Sequence, residues 1–351
     1  MKKLNFGAGP CILPEAVFEE ASKAVVDFNG LSILEISHRS PEFVAVMEEA
    51  RQLVRELLNV PEDYTILFLQ GGASLGFLIS AMNMAREHKK AGYINTGAWA
   101  SKAIIESEKL GLDTVVLASS KEKNFNYIPD FNLVEKVDYL HFTSNNTIYG
   151  TQFKEFPSVS CPLVCDMSSD IFSKEIDVSK FDLIYAGAQK NIGPAGSTLY
   201  IVKNTALGKS SFKSIPTYLD LETHAKKDSM FNTPPVFAIY TAMLNLRYLK
   251  QNGGIKEIEK LNNKKAALLY SEIDNNPSFE GTANKNDRST MNVTFTLKDD
   301  KDAEAFDNAW KSANIVGLKG HRSVGGYRAS MYNALTIDAV ERLVDVMHNF
   351  K

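Results

Sequence analysis

The chain has 351 residues, more than one average domain at about 150 residues each. Its 44% hydrophobic and 23% charged residues suit a globular chain that buries a sizeable core without disulfide or metal staples. The net charge of −3, from 39 Lys+Arg against 42 Asp+Glu, excludes a global electrostatic footprint for nucleic acid but not a local cluster of positive charge.

Cys11, Cys161 and Cys165 are too few and too oddly spaced for a disulfide framework, and the last two lack the second pair a zinc site needs. No metal is expected. No apolar stretch reaches the roughly 18 residues of a membrane span. Gly7, Gly9, Pro10, Pro14 and Glu15 interrupt any signal-like apolar core. These features together predict a cytoplasmic protein with reduced thiols.

The first clear helix is predicted after Ser40-Pro41, with Ser40 as N-cap and Pro41 at the first helical position. Phe43, Met47, Ala50, Val54 and Leu57 recur at alternating steps of four and three and mark its buried face. Short β-prone runs follow at Thr65–Leu69, Thr114–Leu117, Tyr139–Phe142, Leu163–Cys165, Leu183–Tyr185 and Thr198–Val202. Helical patterns intervene around Leu75–Arg86 and Trp99–Leu110. Apolar strands alternating with helices predict an α/β fold, a three-layer sandwich on a mostly parallel central sheet.

Beyond residue 250 the pattern changes. Ile255, Ile258, Leu261, Leu268 and Leu269 predict a long helix with a lysine-rich outer face. A strand (Met291–Leu297), a helix (Ala303–Ser312), a strand (Tyr327–Tyr332) and a Thr336-capped last helix follow. The expected organisation is a large domain over residues 1–250 and a smaller α+β domain over 251–351.

Three segments can carry chemistry. Gln70-Gly71-Gly72-Ala73-Ser74 lies between a strand and a helix, where free N–H groups and the helix dipole suit an anion. A tight turn without ligand fits the same residues. Lys190 follows the apolar strand ending at Tyr185 and sits among glycines; its amine can form a Schiff base where its surroundings depress its pKa. A loop lysine facing solvent is the plain alternative. Asp166 ends another apolar strand, one strand-to-strand return before Lys190, and is either a cap or the partner of a positively charged ring nitrogen. An anion loop, a lysine and a carboxylate are together what pyridoxal phosphate needs, and Trp99 offers a flat face for its ring.

Asn5-Phe6-Gly7-Ala8-Gly9-Pro10, Ile36-Ser37-His38-Arg39-Ser40, Asn95-Thr96-Gly97-Ala98-Trp99, Gly187-Ala188-Gln189-Lys190-Asn191, Asn232-Thr233-Pro234-Pro235 and Gly320-His321-Arg322-Ser323-Val324-Gly325-Gly326-Tyr327-Arg328 carry a resemblance nearly end to end. The chain resembles the phosphoserine aminotransferases, fold-type I pyridoxal-phosphate enzymes of serine biosynthesis in the class V aminotransferase family. The resemblance implies that Lys190 holds the cofactor covalently and later moves the substrate Cα proton. It makes Asp166 the pyridinium partner and Trp99 the stacking residue, with Thr147 near the ring hydroxyl. Ala73, Ser74 and Gln189 would hold the cofactor phosphate, with Asn232 and Thr233 reaching it across a homodimer interface.

The same resemblance assigns Arg328 to the substrate carboxylate. It sets His38, Arg39, His321 and Arg322 around the substrate phosphate or the distal carboxylate of glutamate. The implied reaction is ping-pong transfer of an amino group between glutamate and 3-phosphohydroxypyruvate, with 4-phosphohydroxythreonine as a further candidate substrate. One departure is that some relatives carry an arginine in the cofactor loop where this chain has Ser74, which cannot supply that charge. Another fold-type I pyridoxal-phosphate enzyme acting on a small amino acid, a transaminase or a cysteine desulfurase-like lyase, is the alternative, and a desulfurase requires a mobile nucleophilic cysteine. A non-catalytic anion-binding module is a second alternative, one expected to lack the lysine or the aspartate.

Overall fold

A computed structural model describes residues 2–132 and 136–350. In chain order the strands are β1 (Leu4–Asn5), β2 (Tyr64–Leu69), β3 (Lys90–Asn95), β4 (Asp113–Ser119), β5 (Tyr139–Thr143), β6 (Leu163–Asp166), β7 (Leu183–Gly187), β8 (Thr198–Lys203), β9 (Phe279–Gly281), β10 (Asn292–Leu297), β11 (Ile315–Val316) and β12 (Tyr327–Ser330). The helices are α1 (Glu15–Val26), α2 (Pro41–Leu58), α3 (Gly72–Met84), α4 (Ala98–Lys109), α5 (Leu221–Ala225), α6 (Val236–Gln251), α7 (Gly254–Asn275), α8 (Ala303–Ser312) and α9 (Ile337–His348).

Among the described residues, β2-β8-β7-β6-β5-β3-β4 form one sheet in that order, with β8 alone reversed against its neighbours. Alternate residues of its strands feed two cores. Ile66, Phe68, Phe142, Cys165 and Ile184 pack with α1, α2 and α6. Leu67, Leu69, Tyr139, Val164 and Tyr185 pack with α3, α4 and α5 on the other face. That alternation, period two on strands covered on both sides, makes the three-layer α/β sandwich expected from the sequence.

A third core gathers α7, α8 and α9 with the β12-β10-β9 sheet. Phe6 belongs to it, and β1 pairs in parallel with β11, so the N-terminal residues are stitched to the C-terminal elements. Ser40 accepts from the Phe43 N–H and Thr336 from the Ala339 N–H, so both anticipated N-caps form.

Some elements escaped sequence reading. The first helix is α1, not α2; it starts after Pro14 and has no side-chain cap. The strand β3 carries Gly92 and only one β-branched residue. The outer face of α7 does carry Lys256, Lys260 and Lys264, but Lys265 is wholly buried. Its Nζ reaches the carbonyls of Met331, Tyr332 and Leu335 at 3.2, 3.0 and 2.9 Å.

Candidate active site

The parallel strands end along one edge of the sheet, where open α/β sheets bind ligands. The strand register pairs Thr143 with Asp166 and Asp166 with Tyr185, so the segments after β5, β6 and β7 emerge side by side. From them come Thr147, Asp166 and Lys190, all buried. Lys190 Nζ donates to Thr147 Oγ1 at 2.6 Å and lies 5.9 Å from the centre of the Trp99 ring, in the first turn of α4.

Burial pulls the Lys190 amine down to about 8; Asp166 opposes that fall and Arg328 adds to it. An amine so placed is a usable nucleophile and base near neutral pH, which a solvent-facing loop lysine is not. Burial raises the Asp166 carboxyl, against the donors of Ser168 and the positive charge of Lys190. Asp166 Oδ1 accepts from the Ser168 N–H at 2.9 Å and hydroxyl at 2.6 Å, and the same hydroxyl oxygen accepts from the Gly187 N–H at 3.0 Å.

Gly71 and Gly72 lead into α3 at φ +100° and +64°, a left-handed entry that glycine permits. A side chain at Gly72 would meet nothing within 4 Å, so the space over the helix N-terminus is open. The N–H groups of Ala73 and Ser74 sit in that first turn, where helix geometry leaves them without intrahelical acceptors. The Gln189 side chain folds against Gly187 and Gly9.

Arg328, on β12, brings the C-terminal elements to this edge. Its Nη1 donates to the Thr147 carbonyl at 3.2 Å, while its Nε is buried without a partner. His321 Nδ1 lies 2.6 Å from Ser323 Oγ. Burial, Arg328, Arg322 and Lys102 pull His321 below the usual histidine range, and burial with Arg39 does the same for His38. Both shifts favour the neutral imidazole over the cation. Arg39, Arg322 and Arg328 have no carboxylate partner among the described residues.

Lys190, Asp166, Trp99, Thr147 and Arg328 thus converge. His38 and Arg39 do not join them within the chain: the Arg39 N–H donates to Ser37 Oγ at 3.2 Å, and neither residue bonds to the Lys190 group. Asn232 Nδ2 donates to Gln70 Oε1 at 3.1 Å, and Gln70 Nε2 donates to the Thr233 carbonyl at 3.1 Å, so this pair borders its own chain's glycine loop. Sequence reading missed the part of Ser168, although a serine two residues after an aspartate is a recurrent local turn. It also missed Lys102, whose Nζ stands 4.5 Å over the Trp99 ring.

Cys11 is the cysteine beside the site. Its thiol donates to the Lys190 carbonyl, its N–H donates to the Gln189 carbonyl at 3.1 Å, and burial pushes the thiol up to about 12. A protonated thiol fixed to backbone is not the mobile nucleophile a desulfurase needs.

The residues present fit pyridoxal phosphate. A buried amine with a depressed pKa, a buried carboxylate and an open glycine-rich helix N-terminus are its three requirements. The buried, unpartnered Trp99 Nε1 and Arg328 Nε mark polar space awaiting a ligand. Fold and site define a fold-type I, pyridoxal-phosphate-dependent transaminase, and residues 3–343 match the family model "Aminotransferase class-V".

The chain is 60% identical over 351 residues to phosphoserine aminotransferase of Flavobacterium psychrophilum, covering 99% of this chain and 98% of the relative. It is 50% identical over 352 residues to that of Bacillus subtilis, with 99% and 98% covered. The crystal structure of pyridoxal-phosphate-bound phosphoserine aminotransferase from Trichomonas vaginalis superposes with a TM-score of 0.95 at 36% identity, with 99% of this chain and 100% of that chain covered. The chain belongs to the phosphoserine aminotransferase family within the class-V aminotransferases. No helix among the described residues is long and apolar enough to cross a membrane.

Proposed function

We propose that the chain transfers the amino group of L-glutamate to 3-phosphohydroxypyruvate, releasing 2-oxoglutarate and 3-phospho-L-serine. The observation that carries this reading is the pairing of a buried lysine with unpaired cations: Lys190 for the chemistry, Arg328 and Arg322 for an acidic substrate. A substrate with a carboxylate and a phosphate needs donors at both ends, and guanidinium groups meet such oxygens two at a time.

The cofactor, when bound, supplies an aldehyde that condenses with amines and a ring that accepts an electron pair. Lys190 is the residue that would hold it, and Ala73, Ser74 and Gln189 line the place for its phosphate. Asp166, oriented by Ser168, is the carboxylate for the ring nitrogen. Trp99 supports the ring face, and Thr147 lies beside the amine. Once released by substrate, the Lys190 amine removes the Cα proton, and its depressed basicity leaves it able to give that proton up again. Arg328 fixes the substrate carboxylate, which aligns the Cα–H bond with the amine.

We further propose a homodimer, with residues 1–250 and 251–351 as the large and small domains of each subunit and a cytoplasmic setting. Leu31, Leu34, Phe18, Val44 and Phe231 are all exposed, a cost that a second copy would relieve. His38, Arg39, Asn232 and Thr233 stand beside these residues in sequence, which supports their serving at that interface. Light scattering on the purified protein tests the assembly.

A coupled assay of glutamate with 3-phosphohydroxypyruvate, run beside unphosphorylated hydroxypyruvate, tests the function. A strong preference for the phosphorylated acid is expected; equal efficiency would overturn the assignment of the cations.

A further inference from the structure

Lys102 has no place in the roles described so far. It sits one turn after Trp99 on α4, and its Nζ stands 4.5 Å from the centre of that ring. Later on the same helix, Lys109 pairs with Glu106 at 2.9 Å. Lys102 pairs with no carboxylate among the described residues.

Lys102 is among the charges that act on His321, together with Arg322 and Arg328. The segment that carries His321 comes near the sheet edge: Ser323 is among the groups that act on the Tyr149 hydroxyl, and Tyr149 lies against Gly97, just before α4. Lys102, Arg322 and Arg328 all act on one imidazole and none has a carboxylate partner among the described residues; like charges so placed repel one another, and an anion among them removes that cost.

We propose that Lys102 is a specificity-determining residue that supplies a positive charge to the distal anionic group of the substrate, favouring a dianionic phosphomonoester over a monoanionic carboxylate. The proposal rests on the transaminase reading above, and it adds a residue that neither composition nor motif pointed to. Coulomb energy is linear in the charge of the bound group. Loss of one cation therefore costs the dianion about twice the free energy it costs the monoanion. On a ratio scale, a threefold loss for glutamate corresponds to about a tenfold loss for the phosphorylated oxo acid.

The test is kinetic and calorimetric, on holoenzyme. In Lys102→Gln, kcat/KM for 3-phosphohydroxypyruvate is expected to fall about tenfold and that for glutamate about threefold. The preference for 3-phosphohydroxypyruvate over hydroxypyruvate should shrink by about tenfold, and Lys102→Arg should restore most of it. Titration of the holoenzyme with inorganic phosphate should give weaker binding in Lys102→Gln than in Lys102→Arg. Equal losses on all substrates, or unchanged phosphate binding, would overturn the proposal. A wild-type enzyme that does not prefer the phosphorylated acid would instead overturn the functional reading itself, so the two failures are distinguishable.

Discussion

Lys190 Nζ donates a 2.6 Å hydrogen bond to Thr147 Oγ1 across the gap between the segments that follow β7 and β5. The amine is therefore placed by a neighbouring strand end as well as by its own loop. Arg328 donates to the carbonyl of the same threonine at 3.2 Å, so one turn anchors both the proposed base and the proposed carboxylate clamp.

Replacing Lys190 by Ala removes anchor and proton carrier together, and turnover is expected to fall by at least about 10⁴-fold. The visible absorption of lysine-linked cofactor should vanish with it, and near-normal turnover would refute the role. In the cofactor-free protein, an amine-selective reagent should titrate Lys190 with a midpoint near pH 8 and not near 10.5.

Asp166 trades stability for chemistry. Burial raises its folded pKa above the ordinary 3.8. As pH rises through the window between those values the folded protein retains the proton that the unfolded chain releases. Stability therefore falls across that window and stays lower above it. Asp166→Asn removes the buried charge and can still accept from Ser168. Turnover is expected to drop by about 10²-fold. The urea midpoint of the cofactor-free variant at pH 7 should equal or exceed wild type, and a clear decrease would contradict this account.

What the sequence disclosed follows from how each signal is encoded. Ser40-Pro41 and Thr336 marked helix starts because capping is local chemistry, and both caps form. Asp166 and Lys190 were readable as neighbours because each follows an uninterrupted apolar strand and one short return separates them. By contrast, α6 is buried around most of its circumference, so Val236–Gln251 lacks the one-sided period that announces a helix. Lys102 and Lys265 are invisible to pattern reading for one reason: a lysine on an amphipathic helix reads as solvated face. What it touches is decided by tertiary packing. That His38 and Arg39 make no bond to the Lys190 group among the described residues likewise has no sequence signature.

Arg328→Lys keeps the charge but loses the planar fork and the contact to Thr147. Both substrates present a carboxylate at this position in the proposed reaction, so KM for each should rise by about 10- to 100-fold. Steady-state kinetics in both directions measures this. A rise confined to one substrate would contradict that placement.

Lys265 holds the segment after β12, and so the strand that presents Arg328, by three hydrogen bonds to carbonyls. Lys265→Met keeps much of the volume but leaves three carbonyl partners unsatisfied, and a loss of about 3 kcal/mol is expected by urea denaturation. Burial pulls the Lys265 ammonium down from 10.5 to about 7. Below that range the wild type bears the full cost of a buried charge. As pH rises from about 7 toward 10.5, the unfolded chain binds more protons than the folded one and wild-type stability grows. Methionine does not titrate, so the gap between wild type and Lys265→Met should widen with pH across that window. A gap that stays flat over most of that window would mean that the three carbonyls hold the ammonium charged well above pH 7.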